Sequence, residues 1–228
     1  MSTEIPPHGQ EPGDTGKLQV LATEHWSLLA TRSLTYTESL SRVTIFLGIL
    51  SGAVVALALV AQADHFGPTF IAIAIPLLTV VLFAGVATIM RLTALNRDDY
   101  RWVVGMNRLR KAYLELYPEL EPYFITSPHD DLLGALQTLG IDVTAGGRLG
   151  SVSHLLQTLP GMLTVIVGAV ASAIAALAAL AFAIPSLGAV LAAAAAFVLV
   201  VGLLRVLGQR SVTSPSPSLE PRFPSRVD

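Results

Sequence analysis

The sequence predicts an all-α integral membrane protein: four transmembrane helices in two hairpins, with a helical cytoplasmic module. Three observations carry that expectation. The chain is 53% hydrophobic but only 13% charged, against about 25% charged residues in an ordinary soluble domain. Four runs, Val43–Ala63, Phe70–Met90, Leu159–Ile184 and Leu187–Leu204, contain no Asp, Glu, Lys, Arg or His. Each has the length, or nearly so, for a helix rising about 1.5 Å per residue to cross a hydrocarbon core of about 30 Å. The period-2 alternation that a barrel needs is absent, so the backbone polar groups in lipid must be satisfied within helices.

Residues 1–16 are rich in Pro and Gly, with few apolar side chains, and read as disordered. They do not form a cleavable signal peptide, because a polar segment holding Glu4, Glu11, Asp14, Glu24 and Glu38 precedes the first apolar run. Residues 17–42 read as a membrane-proximal helix. Leu18, Leu21, Ala22, His25, Leu28, Leu29, Tyr36 and Leu40 fall on one helical face, while Val20, Trp26 and Leu34 lie off it. No Pro or Gly separates this segment from the first span, which predicts one helix running out of the membrane.

The first hairpin covers residues 43–90, with Gly67-Pro68 breaking the chain between its spans and Arg91 stopping the second. Pro76 is tolerable inside a span because neighbouring helices can satisfy the freed backbone. The second hairpin covers residues 159–204, turned at Pro185-Ser186 and stopped by Arg205. Its Ala-rich composition admits a soluble helical hairpin as the alternative, but 46 consecutive uncharged residues are unusual on a water-facing surface.

Orientation follows from Lys and Arg. Arg42, Arg91, Arg97, Arg148 and Arg205 flank the spans on one side, and the two turns at 64–69 and 185–186 hold no basic residue. The positive-inside rule then places both termini and the central segment in the cytoplasm of a bacterial inner membrane.

The central segment, 91–158, carries an apolar seam. Trp102, Met106, Leu109, Tyr113 and Leu116 recur at spacings of 4, 3, 4 and 3, extended by Leu120 beyond Pro118. This predicts a helix packed against residues 17–42, or else a seam for a protein partner bound through 91–124 or for self-association. Charge is polarised along it: six basic and two acidic residues in 91–111, six acidic and no basic ones in 112–142. The basic half suits a position next to anionic lipid. Ser127-Pro128 with Asp130 predicts a helix N-terminus, Gly140 its end, and Gly146-Gly147 a loose turn. The tail, 205–228, is Ser- and Pro-rich and reads as mostly disordered.

Gly48, Gly52 and Ala56 in the first span, and Gly168, Ser172 and Ala176 in the third, are small residues spaced by four. That spacing lets helix backbones approach closely, within one chain or between chains. The polar groups in the spans are hydroxyls, at Thr44, Ser51, Thr79, Thr88, Thr164 and Ser172, and a hydroxyl can bond back to the carbonyl four residues earlier. Ion-coupled transporters and voltage sensors keep ionisable groups in the membrane; these spans have none.

Chemistry has little to work with. There is no Cys, which excludes disulfides, thiol catalysis and Cys-ligated zinc. A net charge of −2 argues against nucleic-acid binding. His129, Asp130 and Asp131 form a compact cluster, but successive helical residues diverge by about 100° and cannot converge on one ion; His154 is a further candidate ligand. Gly146-Gly147 with Arg148 and Gly150 matches no phosphate loop. No catalytic, cofactor-binding or metal-binding residue is therefore assigned, and no cofactor.

A membrane-proximal helix at Leu18–Arg42, spans at 43–63 and 70–90 with a short outer turn, and a cytoplasmic helix at Arg91–Tyr117 together resemble the SLATT-type two-span proteins of bacterial defence loci. The resemblance is one of layout and covers roughly the first half of the chain; the second hairpin lies outside it. It implies a membrane effector, pore-forming after oligomerisation. The residues themselves point first to a non-enzymatic multi-pass protein acting through helix–helix contacts in a structural, regulatory or adaptor role. Its partners would be the lipid bilayer, with a homo-oligomer and a cytoplasmic protein left open. A membrane-bound hydrolase or transferase is the least supported class.

Overall fold

In the computed structural model the described residues are 12–140, 158–212 and 219–225. The expectations for residues 1–11, the Gly146-Gly147 turn, His154 and the stretches 213–218 and 226–228 lie outside them. Among the described residues the architecture is all-helical. Helix α1 is Pro12–Asp64, α2 is Pro68–Leu116, a 3-10 helix covers Pro118–Tyr123, α3 is Leu132–Thr138, α4 is Leu159–Ala181 and α5 is Ser186–Val212. Helices α1, α2, α4 and α5 each contain a stretch long and apolar enough to cross a membrane, which is the composition of a membrane protein.

Helix α1 has 53 residues, more than twice the roughly 20 that a span needs. It begins at Pro12, inside the segment expected to be disordered, with proline at the first helical position where a missing N–H costs nothing. The chain divides into two compact units, with boundaries inside α1 and α2. One unit comprises Tyr36–Arg97 and Gly146–Pro215; the other comprises Met1–Thr35, Asp98–Ala145 and Ser216–Asp228.

In the first unit Val43, Phe46, Leu50, Ala53 and Leu57 of α1 recur at spacings of 3 and 4 and face Leu78, Val81, Ile89, Leu92 and Leu95 of α2 and Leu163, Val167 and Val170 of α4. Leu204 of α5 closes the core. Gly85 sits where α1, α2 and α4 meet: a Cβ there would lie 2.5 Å from Val167 Cγ2 and 2.9 Å from Phe46 Cε2. Gly168 makes the corresponding approach to α5, its Cβ position 2.7 Å from Val201 Cγ2. Opposite these contacts the helices present large apolar side chains outward, among them Val55, Leu59, Phe83, Leu187 and Val198. A water-soluble surface does not carry such a band, and lipid suits it.

The turn between α1 and α2 is held by Asp64. Its carboxylate accepts from Phe70 N at 2.7 Å and its carbonyl from Gly67 N at 2.8 Å. Gly67 is required there, because a Cβ would fall 2.9 Å from Asp64 O. Helix α4 is capped by Thr158, whose hydroxyl accepts from Gly161 N. It ends at Ala181, three residues before the expected end of the third span at Ile184. Ala183 takes a positive φ of 54°, and Pro185 disfavours helical backbone at the residue before it. Within the spans Thr44, Thr79, Thr88 and Thr164 donate to the carbonyls of Leu40, Ile75, Ala84 and Pro160.

At the polar end of this unit Glu38 joins α1 to α2. Its carboxylate accepts both Nε and Nη2 of Arg91, at 2.9 and 3.0 Å, and Nε of Arg42 at 2.8 Å. These bonds, Arg91's first, hold the Glu38 carboxyl down to about 2. The folded pKa being the lower one, this contribution is complete above the ordinary glutamate pKa of about 4.3 and is lost as pH falls toward 2.

In the second unit the outer parts of α1 and α2 run antiparallel. His25 meets Tyr113 with ring centroids 6.1 Å apart, Leu28 lies 3.0 Å from the Cβ position of Gly105, and Arg32 Nε reaches Asp99 Oδ1 at 2.7 Å. The inward line on α1 is therefore Leu18, Leu21, His25 and Leu28, while Ala22, Leu29, Tyr36 and Leu40, expected on the same face, are exposed. One partner helix covers a narrow seam, not the full width of the apolar stripe.

Two glycines separate packing inside the chain from anything beyond it. Gly85→Ala is expected to destabilise the detergent-solubilised protein by about 1–3 kcal/mol through overpacking. A Cβ at Gly48 meets nothing within 4 Å, so Gly48→Ala is expected to be neutral or to stabilise by up to about 1 kcal/mol through helix propensity. Thermal unfolding followed by circular dichroism measures both.

Candidate functional site

The polar groups gather where α2, the loop before α3 and the C-terminal segment meet, all within the second unit. Asn107 and Arg108, neighbours on α2, organise it. Asn107 is fully buried. Its Nδ2 donates to His129 O at 2.7 Å, and its Oδ1 accepts from Arg110 Nη1 at 2.6 Å and from Thr138 Oγ1 at 2.9 Å. One side chain thus fixes the loop, α3 and its own helix together. Val103, Val104 and Met106 on α2 and Ala135 on α3 form the apolar floor, with Leu28, Tyr100, Leu139 and Leu219 against it.

Helix α3 starts later than expected. Asp131, not Ser127, is its N-cap, accepting Gly134 N at 2.8 Å. Ser127 Oγ accepts His129 N at 3.2 Å instead. Asp130 plays no capping role because its carboxylate is drawn the other way. Gly134 is dictated by contact, since a Cβ there would run into His129 O. Leu139 is the C-cap and Gly140 follows with φ 69°.

The Asp130 side chain has no exposed surface. Arg108 Nε donates to its Oδ2 at 2.7 Å, Phe223 N donates to Oδ1 at 2.7 Å, and Arg222 N donates to Oδ2 at 2.9 Å. Arg108 Nη2 continues to Glu220 O at 2.8 Å. The tail answers with Phe223 O, which accepts Asp130 N at 3.3 Å and lies 3.3 Å from His129 Nδ1. Asp131 Oδ2 accepts Ser225 N at 3.0 Å and also the Ser225 hydroxyl. Residues 219–225 of a tail expected to be disordered are thus held by main-chain bonds, a kind of ordering that composition does not register.

Burial alone would raise the Asp130 carboxyl; the bonds from Arg222 N, Arg108 and Phe223 N outweigh it and hold the group below the usual carboxylate range. Asp131 behaves likewise: burial raises it, and the Ser225 hydroxyl, Gly134 N and Ser225 N bring it lower on balance. An open cleft of about 820 Å³ lies alongside, with Lys111, Phe124, Ile125, Leu133 and Phe223 in its walls.

Of the seam expected on α2, Met106 is buried, while Trp102, Leu109, Tyr113 and Leu116 are only half-buried; Leu120 lies beyond the helix and is exposed. The deepest positions are Val103, Val104 and Asn107, which the seam omits. A single heptad line describes one partner, whereas α2 here meets both α1 and the α3 layer. Gly48, Gly52 and Ala56 lie on an exposed face of α1. Gly168 is buried against α5, and Ser172 and Ala176 are half-buried on the same helix. His129, Asp130 and Asp131 precede α3, so the helical divergence expected for them does not apply, and all three contact the tail, at Phe223, Arg222 and Ser225; among the described residues no three His, Asp or Glu side chains are placed to hold a metal ion. Gly85, Asn107 and Arg108 were missed; the sequence signal for the last two was a polar pair interrupting an apolar helix face.

Both aspartates are more acidic when folded, so their contribution is complete above about pH 5 and falls away as pH drops below the unfolded aspartate value of about 3.9. A spin label at Glu220→Cys, in a chain otherwise free of Cys, is expected to report a docked tail unchanged between about pH 5 and 8 and a progressively mobile one below about pH 4. Comparison with protein-family models, characterised proteins and solved structures finds no match to this chain.

Proposed function

We propose that this chain is a non-enzymatic multi-pass protein of a bacterial inner membrane, with both termini in the cytoplasm, acting through helix–helix contacts in a structural, regulatory or adaptor role. The observation that carries this reading is how the polar groups of the candidate site are used. Asp130, Asp131, Arg108 and Asn107 all bond to the protein's own loop, helix and tail. A catalytic centre instead keeps a nucleophile, an acid or a base turned toward an open pocket. The orientation rests on Arg42 and Arg91, which meet at Glu38 on the same side of the first hairpin, and on the positive-inside rule.

A second reading is an oligomeric pore-forming effector, as the SLATT-like layout implies. Exposed Gly48 and Gly52, with nothing within 4 Å of an added Cβ, favour it as a place where another helix could approach closely.

Reporter tags at the two ends are expected to place both in the cytoplasm. Purified protein in anionic vesicles is expected to cause no ion leakage, and the bait 91–124 to recover a partner whose binding is lost with Trp102→Ala. Leakage that disappears with Gly48→Leu or Gly52→Leu would transfer the assignment to the pore reading.

A further inference from the structure

We infer that the loop 127–131, together with Arg108, is a peptide-recognition site whose ligand class is a bent, proline-interrupted peptide read through its main chain, and that residues 219–225 are a tethered ligand the site can release and rebind. This inference goes beyond the proposed function and stands on the geometry of one unit.

The case begins with what the site reads. Its contacts fall on the main chain of the tail at Glu220 O, Arg222 N, Phe223 N, Phe223 O and Ser225 N. They skip Pro221 and Pro224, which have no N–H to offer. The two prolines therefore sit where the site asks for no donor, and a peptide shifted by one residue would present a proline to Asp130 or Asp131. The pairing runs both ways: Asp130 accepts from Phe223 N through its carboxylate and donates to Phe223 O through its own N–H. Bonds to a peptide's main chain supply affinity, here chiefly from side-chain carboxylates and Arg108, and side-chain pockets supply selectivity. The selective elements here are the Ser225 hydroxyl on Asp131 and the Phe223 side chain at the wall of the cleft, beside Phe124, Ile125 and Leu133.

The site is built for this ligand. Asp130 has no exposed surface, its partner Arg108 donates to it and also to the ligand, and Asn107 and Gly134 fix the backbone that carries it. The ligand is held lightly by comparison. Glu220, Pro221, Arg222 and Pro224 are exposed, and Leu219 is the tail residue that joins the apolar floor. A peptide bound through main-chain hydrogen bonds with little apolar burial can exchange, and its covalent tether is what gives the resident copy its advantage over a free one.

The test uses the full chain in nanodiscs. Phe223→Pro removes the N–H that Asp130 accepts and leaves every receptor residue in place. The probe is a fluorescent peptide of residues 216–228. Expected are weak binding to the wild-type chain, at least tenfold tighter binding to the Phe223→Pro chain, and at least tenfold weaker binding to that chain by peptides carrying Phe223→Pro or Ser225→Ala. Adding Asp130→Asn to the Phe223→Pro chain should abolish binding; the two peptide variants test the same contacts without disturbing the fold. A spin label at Glu220→Cys should be freed by Phe223→Pro. The proposal is overturned if the label stays immobilised in that variant, if the free peptide fails to bind it, or if the peptide binds wild-type and variant chains equally.

Discussion

A peptide group among lipid tails has no water to bond to, so each one must find its partner in the chain. An α-helix meets that demand, and it meets it equally well in water. This indifference lets α1 and α2 run unbroken from apolar span to polar segment, over 53 and 49 residues. No linker is needed between them, and a change of solvent is written only in the side chains. Glu38, Arg42 and Arg91 mark the change on the first hairpin: the spans beyond them carry no charge, and the three residues pair with one another at the boundary. Arg32 with Asp99 and Arg108 with Asp130 follow in the second unit. The partly exposed Arg32–Asp99 pair adds little stability; in the Arg108–Asp130 pair the Asp130 side chain is fully buried, and the same argument does not apply to it.

The spans were legible because the cost of a charge in lipid removes charged residues from long runs, and a run without them can be read one residue at a time. The packing inside them was less so. Gly48 and Gly52 have the spacing of a close helix contact, yet they face outward, while Gly85, in no such pattern, sits where three helices meet. A small-residue spacing is a property of one helix. A close approach is a property of what stands opposite, here Phe46 and Val167, which lie far away in sequence. The outer part of α1 repeats the point: its apolar face is wide, and one neighbouring helix covers only the Leu18, Leu21, His25 and Leu28 line.

The candidate site was legible only in its residue types. His129, Asp130 and Asp131 stood out as a cluster, but the divergence expected of helical neighbours does not apply to them, because they precede α3 and contact the same tail segment. That Asp130 is buried against Arg108 could not be read, because the contact joins a helix to a loop 22 residues later. The tail was hidden for a different reason. Prolines and serines dominate its composition, and composition weighs side chains that could form a core. It does not weigh amide N–H groups presented in register to a buried carboxylate.

That register decides what the buried charge accomplishes. Taking a carboxylate out of water costs several kcal/mol even after relaxation, and one ion pair rarely returns all of it. Arg108 alone leaves Asp130 under-satisfied; Phe223 N and Arg222 N supply the remaining donors. The docked tail is therefore part of what makes burial of Asp130 tolerable, and a chain with its tail displaced must let water or another donor in at that point. Replacing Asp130 with an apolar residue would remove the desolvation cost together with the means of recognising the tail. A charge kept under such terms contributes less to stability than to choosing which segment, in which register, lies across the loop.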